Sequence, residues 1–265
     1  MKKLFLLISF LFCLIGISEA QPITAKQTDL KKQGLKGDVR TMAEKSRDVS
    51  GNRHKNIFHY NERGNITELQ SFSNGSLTVK ITYRHDDSGT IIEEIGKYET
   101  KQYEYDSLGY KVKTMLNGHP YLRHENTMED GQLKQIATYN TENNLTMLEE
   151  YNYTDSCTTY SCTYYNASVN IVVTSRYDKN GNLLKQSSNA AMPPDVLVTT
   201  YRYDENGDIV ERLHFQADSL EQKLGLVYKY DDYDKAGNWI KQTAYSAKYG
   251  DLHSVLERKF KYRKH

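Results

Sequence analysis

Apolar and polar positions alternate with a period of two along most of the chain after residue 37. In Ile209-Val-Glu-Arg-Leu-His-Phe215, one face carries Ile209, Glu211, Leu213 and Phe215, which is strand patterning, not helix patterning. Tyr-x-Tyr steps at Tyr103/Tyr105, Tyr151/Tyr153, Tyr201/Tyr203 and Tyr228/Tyr230 put both rings on one face of a strand. The stretches are short and punctuated by glycine. They predict antiparallel hairpins joined in a meander, with about eighteen strands between Gly37 and Tyr262.

The punctuation is itself a repeat. Tyr60-Asn-Glu-Arg-Gly64-Asn-Ile66, Tyr105-Asp-Ser-Leu-Gly109-Tyr-Lys-Val112 and Tyr177-Asp178-Lys-Asn-Gly181-Asn-Leu183 share one form. Tyr203-Asp204-Glu-Asn-Gly207-Asp-Ile209 and Tyr233-Asp234-Lys-Ala-Gly237-Asn-Trp239 share it too. Looser copies run from Tyr83 to Ile91, with two residues inserted before Gly89, and from Tyr139 to Leu145, where Asn143 replaces glycine. Met128-Glu-Asp-Gly131-Gln-Leu133 reads as a shortened copy. An Asp or Asn opens a turn by bonding backbone N–H groups ahead of it, and the glycine takes the left-handed conformation that closes it. The expected geometry is a type I turn with a G1 bulge. Tyr60, Tyr83 and Tyr105 are 23 and 22 residues apart, two strands and two turns. The gaps widen to 26 and 30 between Tyr177, Tyr203 and Tyr233, which predicts longer loops at Ala190 to Pro194 and Asp218 to Lys223.

At the N-terminus, Met1-Lys-Lys3 precedes an apolar run from Leu4 to Ile17, and Ser18-Glu-Ala20 puts small residues at −3 and −1 of a cut before Gln21. This is the pattern of a secretory signal peptide. Residues 1–20 are therefore expected to be the leader, 21–36 a lead with a helical turn near Asp29 to Gln33, and 37–265 one β domain. Export changes the reading of Cys157 and Cys162, the remaining pair. Four residues between them suit a cross-strand bridge at a hairpin tip or two free thiols, and neither a Cys-x-x-Cys redox site nor structural zinc.

The whole chain carries 35 basic and 34 acidic residues, and without the leader the numbers are equal. That balance excludes a broad electrostatic footprint for nucleic acid or anionic lipid. A mean hydropathy of −0.75 excludes a polytopic helical membrane protein. The 22 Tyr, beside seven Phe and one Trp, fit half-wet pleated sheet with thin cores. An outer-membrane barrel needs an apolar row on each strand, and Glu211 among Ile209, Leu213 and Phe215 interrupts it.

With its repeated Tyr-Asp-x-x-Gly form, the chain resembles the tyrosine–aspartate (YD) repeats of the rearrangement-hotspot family over roughly residues 50–262. It is similar in particular to the short exported YD-repeat proteins of Bacteroidetes-type bacteria, including the lead-in Asp29-Leu-Lys-Lys-Gln-Gly-Leu-Lys-Gly-Asp-Val-Arg40. The resemblance implies a sheet coiled into a wrapped shell or elongated β-solenoid, stabilised by stacking of neighbouring repeats.

Candidate chemistry is sparse. Nucleophile elbows, phosphate-binding glycine loops and His-Glu-x-x-His are absent. His54 with His59, or His119 with His124, could meet across a hairpin, but solvent-facing strand positions account for them. Asp204-Glu-Asn-Gly207 lacks EF-hand spacing. Glu93/Glu94 and Glu149/Glu150 are sequence neighbours, so on strands they point to opposite faces. Trp239 occupies the apolar slot of Ile209 and Leu183, which makes it core before ligand platform. The expectation is a non-catalytic exported repeat scaffold without cofactor or metal, in the periplasm or at the cell surface. It would bind an envelope protein or polysaccharide on its sheet face, with no nucleic acid and no membrane span after cleavage. A carbohydrate-binding module, or a glycan hydrolase, is the alternative.

Overall fold

A computed structural model describes residues 28–165, 170–192, 195–217 and 222–264. The leader at 1–20 lies outside them, as do residues 21–27 of the lead, 193–194 and 218–221. Of the two longer loops expected, the one at Ala190 to Pro194 is corrected, since strand runs on to Met192 and resumes at Asp195. The one at Asp218 to Lys223 ends where strand begins at Gln222. One four-residue helical turn, α1 (Asp29–Lys32), precedes eighteen strands among the described residues. Thr28 caps it, its side chain accepting from the Lys31 N–H.

The first six strands are β1 (Val39–Asp48), β2 (Arg53–Tyr60), β3 (Ile66–Ser73), β4 (Ser76–His85), β5 (Ile91–Ile95) and β6 (Thr100–Tyr105). Then come β7 (Lys111–Leu116), β8 (His119–Glu129), β9 (Gln132–Tyr139), β10 (Leu145–Tyr153), β11 (Cys157–Tyr164) and β12 (Ile171–Asp178). The last six are β13 (Leu183–Met192), β14 (Asp195–Tyr203), β15 (Ile209–Gln216), β16 (Gln222–Tyr233), β17 (Trp239–Ser246) and β18 (Leu252–Tyr262). Each pairs antiparallel with the next, and β18 returns to pair with β1, Phe260 facing Met42 and Leu256 facing Ser46. Arg263 draws the seam together, pairing with Asp38 and donating to the Tyr60 carbonyl.

The meander is therefore a closed 18-stranded barrel. The expectation of an open wrapped sheet or elongated solenoid, carried by the YD-repeat resemblance, is corrected by this ring. Closure satisfies the two edges that an open sheet would leave unpaired.

The turn motif sits where the local rule puts it. Asn61, Asp86, Asp106, Asn140, Asp178, Asp204 and Asp234 each accept two backbone N–H groups, two and four residues ahead. Gly64, Gly89, Gly109, Gly181, Gly207 and Gly237 follow at φ between 83° and 86°, and Asn143 takes the same role at 64°. In the Tyr83 copy the aromatic slot directly before the turn is filled by His85, and Asp86 opens the turn. Six of these seven turns lie at one end of the barrel, the end that α1 and the C-terminus also share; the Asn140 turn is at the other.

Cross-strand pairing also assigns the two faces. One register runs Tyr151–Tyr160–Ser175–Gln186–Thr199–His214 through β10 to β15. That face contains most of the buried side chains, Met42, Tyr60, Thr138, Glu149, Tyr160 and Cys162 among them. It is the inner face. The outer face carries Lys241–Glu257–Lys45–Lys55 side by side through β17, β18, β1 and β2, and Glu104–Lys113–Arg123 through β6 to β8. Barrels of 16 to 18 strands in general enclose more space than their side chains fill. Among the described residues no helix is long and apolar enough to cross a membrane.

Candidate binding face

Two clusters organise the inner face. At the lead end, Leu30 and Leu35 pack with Val39, Met42 and Tyr60, flanked by Phe58, Ile66 and Phe260. The lead is tied by backbone and side chain alike. The Leu30 N–H donates to the Gly64 carbonyl at 3.0 Å, the Ile66 N–H to Asp29 Oδ2 at 2.7 Å, and Tyr60 Oη to Gln33 Oε1 at 2.6 Å. Asn238 grips Lys36 on both sides, its amide accepting from the Lys36 N–H at 2.7 Å and donating to the Lys36 carbonyl at 2.8 Å. The same amide donates to Tyr262 Oη, whose hydroxyl donates to Asp234. Burial, then that carboxylate, pushes the Tyr262 hydroxyl up to about 12.

Beneath the lead sits a charged aromatic cluster. Arg258 lies over the Trp239 ring, 3.4 Å from its centroid, and its Nε donates to Glu44 Oε1 at 2.9 Å. Tyr230 tilts against Trp239 at 5.2 Å. Asp208 accepts from the Trp239 side chain; burial and the Asp204 charge push its carboxyl up while Arg258 pulls it back. Trp239 is therefore buried and covered by a guanidinium. It holds the barrel and offers no stacking platform.

The second cluster gathers Leu133, Tyr151, Tyr160, Cys162 and Tyr177. Tyr160 Oη donates to Glu149 Oε1 at 2.7 Å, and burial followed by that carboxylate pushes the tyrosine far above its ordinary range. Glu149 and Glu150 point to opposite faces, the first buried and the second exposed. Glu93 accepts from Arg84 and Gln102 on the outer face, away from Glu94.

Cys157 and Cys162 are free thiols. Of the two alternatives the thiols hold and the hairpin-tip bridge does not: both residues lie on β11, five positions apart on opposite faces. An extended strand separates them by roughly 16 Å, far beyond disulfide reach. Hydrogen bonding to Thr154 lowers the Cys157 thiol.

The tyrosines follow a rule that sequence reading missed. Tyr105 Oη donates to the Ile91 carbonyl, Tyr203 Oη to Leu183, and Tyr230 Oη to Ile209. Each acceptor is the apolar residue just after a preceding turn, so the hydroxyl of one repeat bonds the backbone of another. Phenylalanine would fill the same space and leave those carbonyls without this partner. Tyr60 instead reaches the lead. Tyr177 is buried, and Tyr233 is exposed at the rim.

Histidines act similarly. His124 bridges Thr114 and Thr138 at 3.0 and 2.9 Å, and His214 Nδ1 meets Thr199 at 2.9 Å. Burial, reinforced by Arg212, pushes His214 down to about 4. Among the described residues no three His, Cys, Asp or Glu side chains gather as a metal site. The inner face can thus present ring faces, hydroxyls and amides to a partner, while Glu44 is paired with Arg258 and Glu149 is engaged by Tyr160.

No family model matches the chain, and no curated protein matches it. Solved structures similar to it include a porin-like protein from Bacteroides uniformis ATCC 8492, at 8% identity and a TM-score of 0.45. That alignment covers 85% of this chain and 99% of the other. A porin-like protein from Bacteroides vulgatus ATCC 8482 is similar at 12% identity and a TM-score of 0.42, over 75% of this chain and 98% of the other. The rearrangement-hotspot resemblance, and the YD-repeat designation with it, is corrected at this point. The open shell or solenoid that it implies is not what these strands build, because β18 pairs with β1 and the sheet is a closed ring.

Proposed function

We infer that the chain is an exported, non-catalytic β-barrel of the bacterial envelope that holds a polysaccharide or peptide strand against its tyrosine-rich inner face. The observation that carries this reading is the inner register itself. Half-buried Tyr201 and Tyr228 stand on it beside Thr199, Gln242 and Ser254, the mixture of flat rings and hydrogen-bonding groups that extended polar chains use. The carboxylates support a binding role over a hydrolytic one, because the adjacent pairs diverge and Glu149 is engaged by Tyr160. Export rests on the leader pattern at residues 1–20.

A pore embedded in lipid is the reading that porin-like neighbours would invite. The outer ladder Lys241–Glu257–Lys45–Lys55 weighs against it, since each Lys facing the bilayer midplane costs roughly 2–4 kcal/mol. Calorimetric titration of the mature chain with envelope polysaccharides and peptidoglycan fragments tests the proposal. Binding that disappears in Tyr201→Ala/Tyr228→Ala while the melting temperature holds supports it. Absence of heat with every polymer and peptide would refute it.

A further inference from the structure

Antiparallel pairing around a ring sends every odd-to-even connection to the end away from the lead. Of the large apolar side chains exposed among the described residues, most stand at that end. Val49, Leu77, Tyr98, Tyr121, Leu224 and Tyr249 come from six different strand junctions spread around the circumference. Tyr98 is 82% exposed and Tyr249 69%, values that leave almost the whole ring in water. At the lead end the exposed set is Leu108, Tyr233 and Tyr262. An apolar set concentrated at one rim marks that rim as a contact surface.

We propose that this rim docks the barrel end-on to a lipid bilayer surface. A circle of apolar tips meets a flat surface all at once. The tips carry amphipathic pairs: Lys97 Nζ is 4.7 Å from the centroid of the Tyr98 ring, and Lys248 Nζ is 5.4 Å from that of Tyr249. Such a pair places a ring among lipid glycerols and an ammonium at the phosphates. Of the carboxylates beside these tips, Asp48 is bonded by Asn52 and Glu99 is paired with Lys101, and the Lys97 and Lys248 ammonium groups are the rim's complement to phosphate. The chain touches the membrane without spanning it, and the charged outer wall stays in water.

Flotation of the mature chain with vesicles of phosphatidylethanolamine and phosphatidylglycerol tests this. The wild-type chain should float with the vesicles and stay bound at high salt, because ring burial is not screened. Tyr98→Ser/Tyr121→Ser/Tyr249→Ser should lower partitioning by roughly tenfold or more, and Leu108→Ser at the opposite rim should leave it unchanged. Wild type remaining at the bottom of the gradient overturns the proposal, as does undiminished flotation of the triple variant. A doubled mass in lipid-free sedimentation that the triple variant abolishes would assign the rim to a second copy of the chain instead.

Discussion

Gly64 and Gly207 close the same kind of turn at φ 84° and 83°, yet their surroundings differ. A Cβ at Gly207 meets nothing within 4 Å, whereas one at Gly64 meets Leu30 Cδ1 at 3.1 Å. Gly207→Ala should therefore cost only the backbone penalty, about 1–2 kcal/mol. Gly64→Ala should cost about 1 kcal/mol more, because the lead must shift. Urea midpoints that drop equally would contradict that packing. His214 gives a pH prediction. Its folded value of about 4 lies below the unfolded 6.5, so the unfolded chain binds more protons between them. The stability it contributes is present above pH 6.5 and is lost as the pH falls through 4. Thermal melts from pH 7 to 4 should decline less steeply in His214→Gln than in wild type. The turn residues were legible in the sequence because Asx and glycine act over four residues. The His214–Thr199 bond was not, since it needs the register of two strands.

At the scale of elements, the lead is strapped to the rim of the barrel beside the β1–β18 seam. Asn182 and Asn238 occupy equivalent slots after turn glycines. The Asn182 amide stays local, donating to Asp178 Oδ2 at 3.0 Å, while Asn238 reaches Lys36 and Tyr262. Asn238→Ala should thus cost about 2 kcal/mol more than Asn182→Ala and should speed tryptic cleavage after Lys36. Equal losses with unchanged cleavage would mean that the clamp contributes nothing. Alternation and the Asx–Gly turns made the strands and hairpins readable in advance. The grip on the lead was hidden, because it joins positions 202 residues apart.

For the whole molecule, the outer charged rows make a solubility prediction. Residues 21–265, purified without detergent, should stay in the supernatant on ultracentrifugation, since the wall that would meet lipid carries Lys45, Lys55 and Lys241. A requirement for detergent micelles would show that the faces are assigned the wrong way round. The candidate binding face was only half readable. The Tyr-x-Tyr steps placed rings on one side of each strand, but nothing local says which side turns inward, nor that Trp239 lies beneath Arg258.

What the sequence determined by itself was the local grammar: period-two strands, turns opened by Asp or Asn and closed by glycine, and hairpins following one another in chain order. These come from forces that act within a few residues. The tertiary structure decided that the sheet closes and which face became the interior. Closure depends on twist summed over eighteen strands and on β18 meeting β1, where Arg258 finds Glu44 across 214 residues. The same hairpins could have coiled open, and only the meeting of distant edges, which leaves neither unpaired, selects the ring.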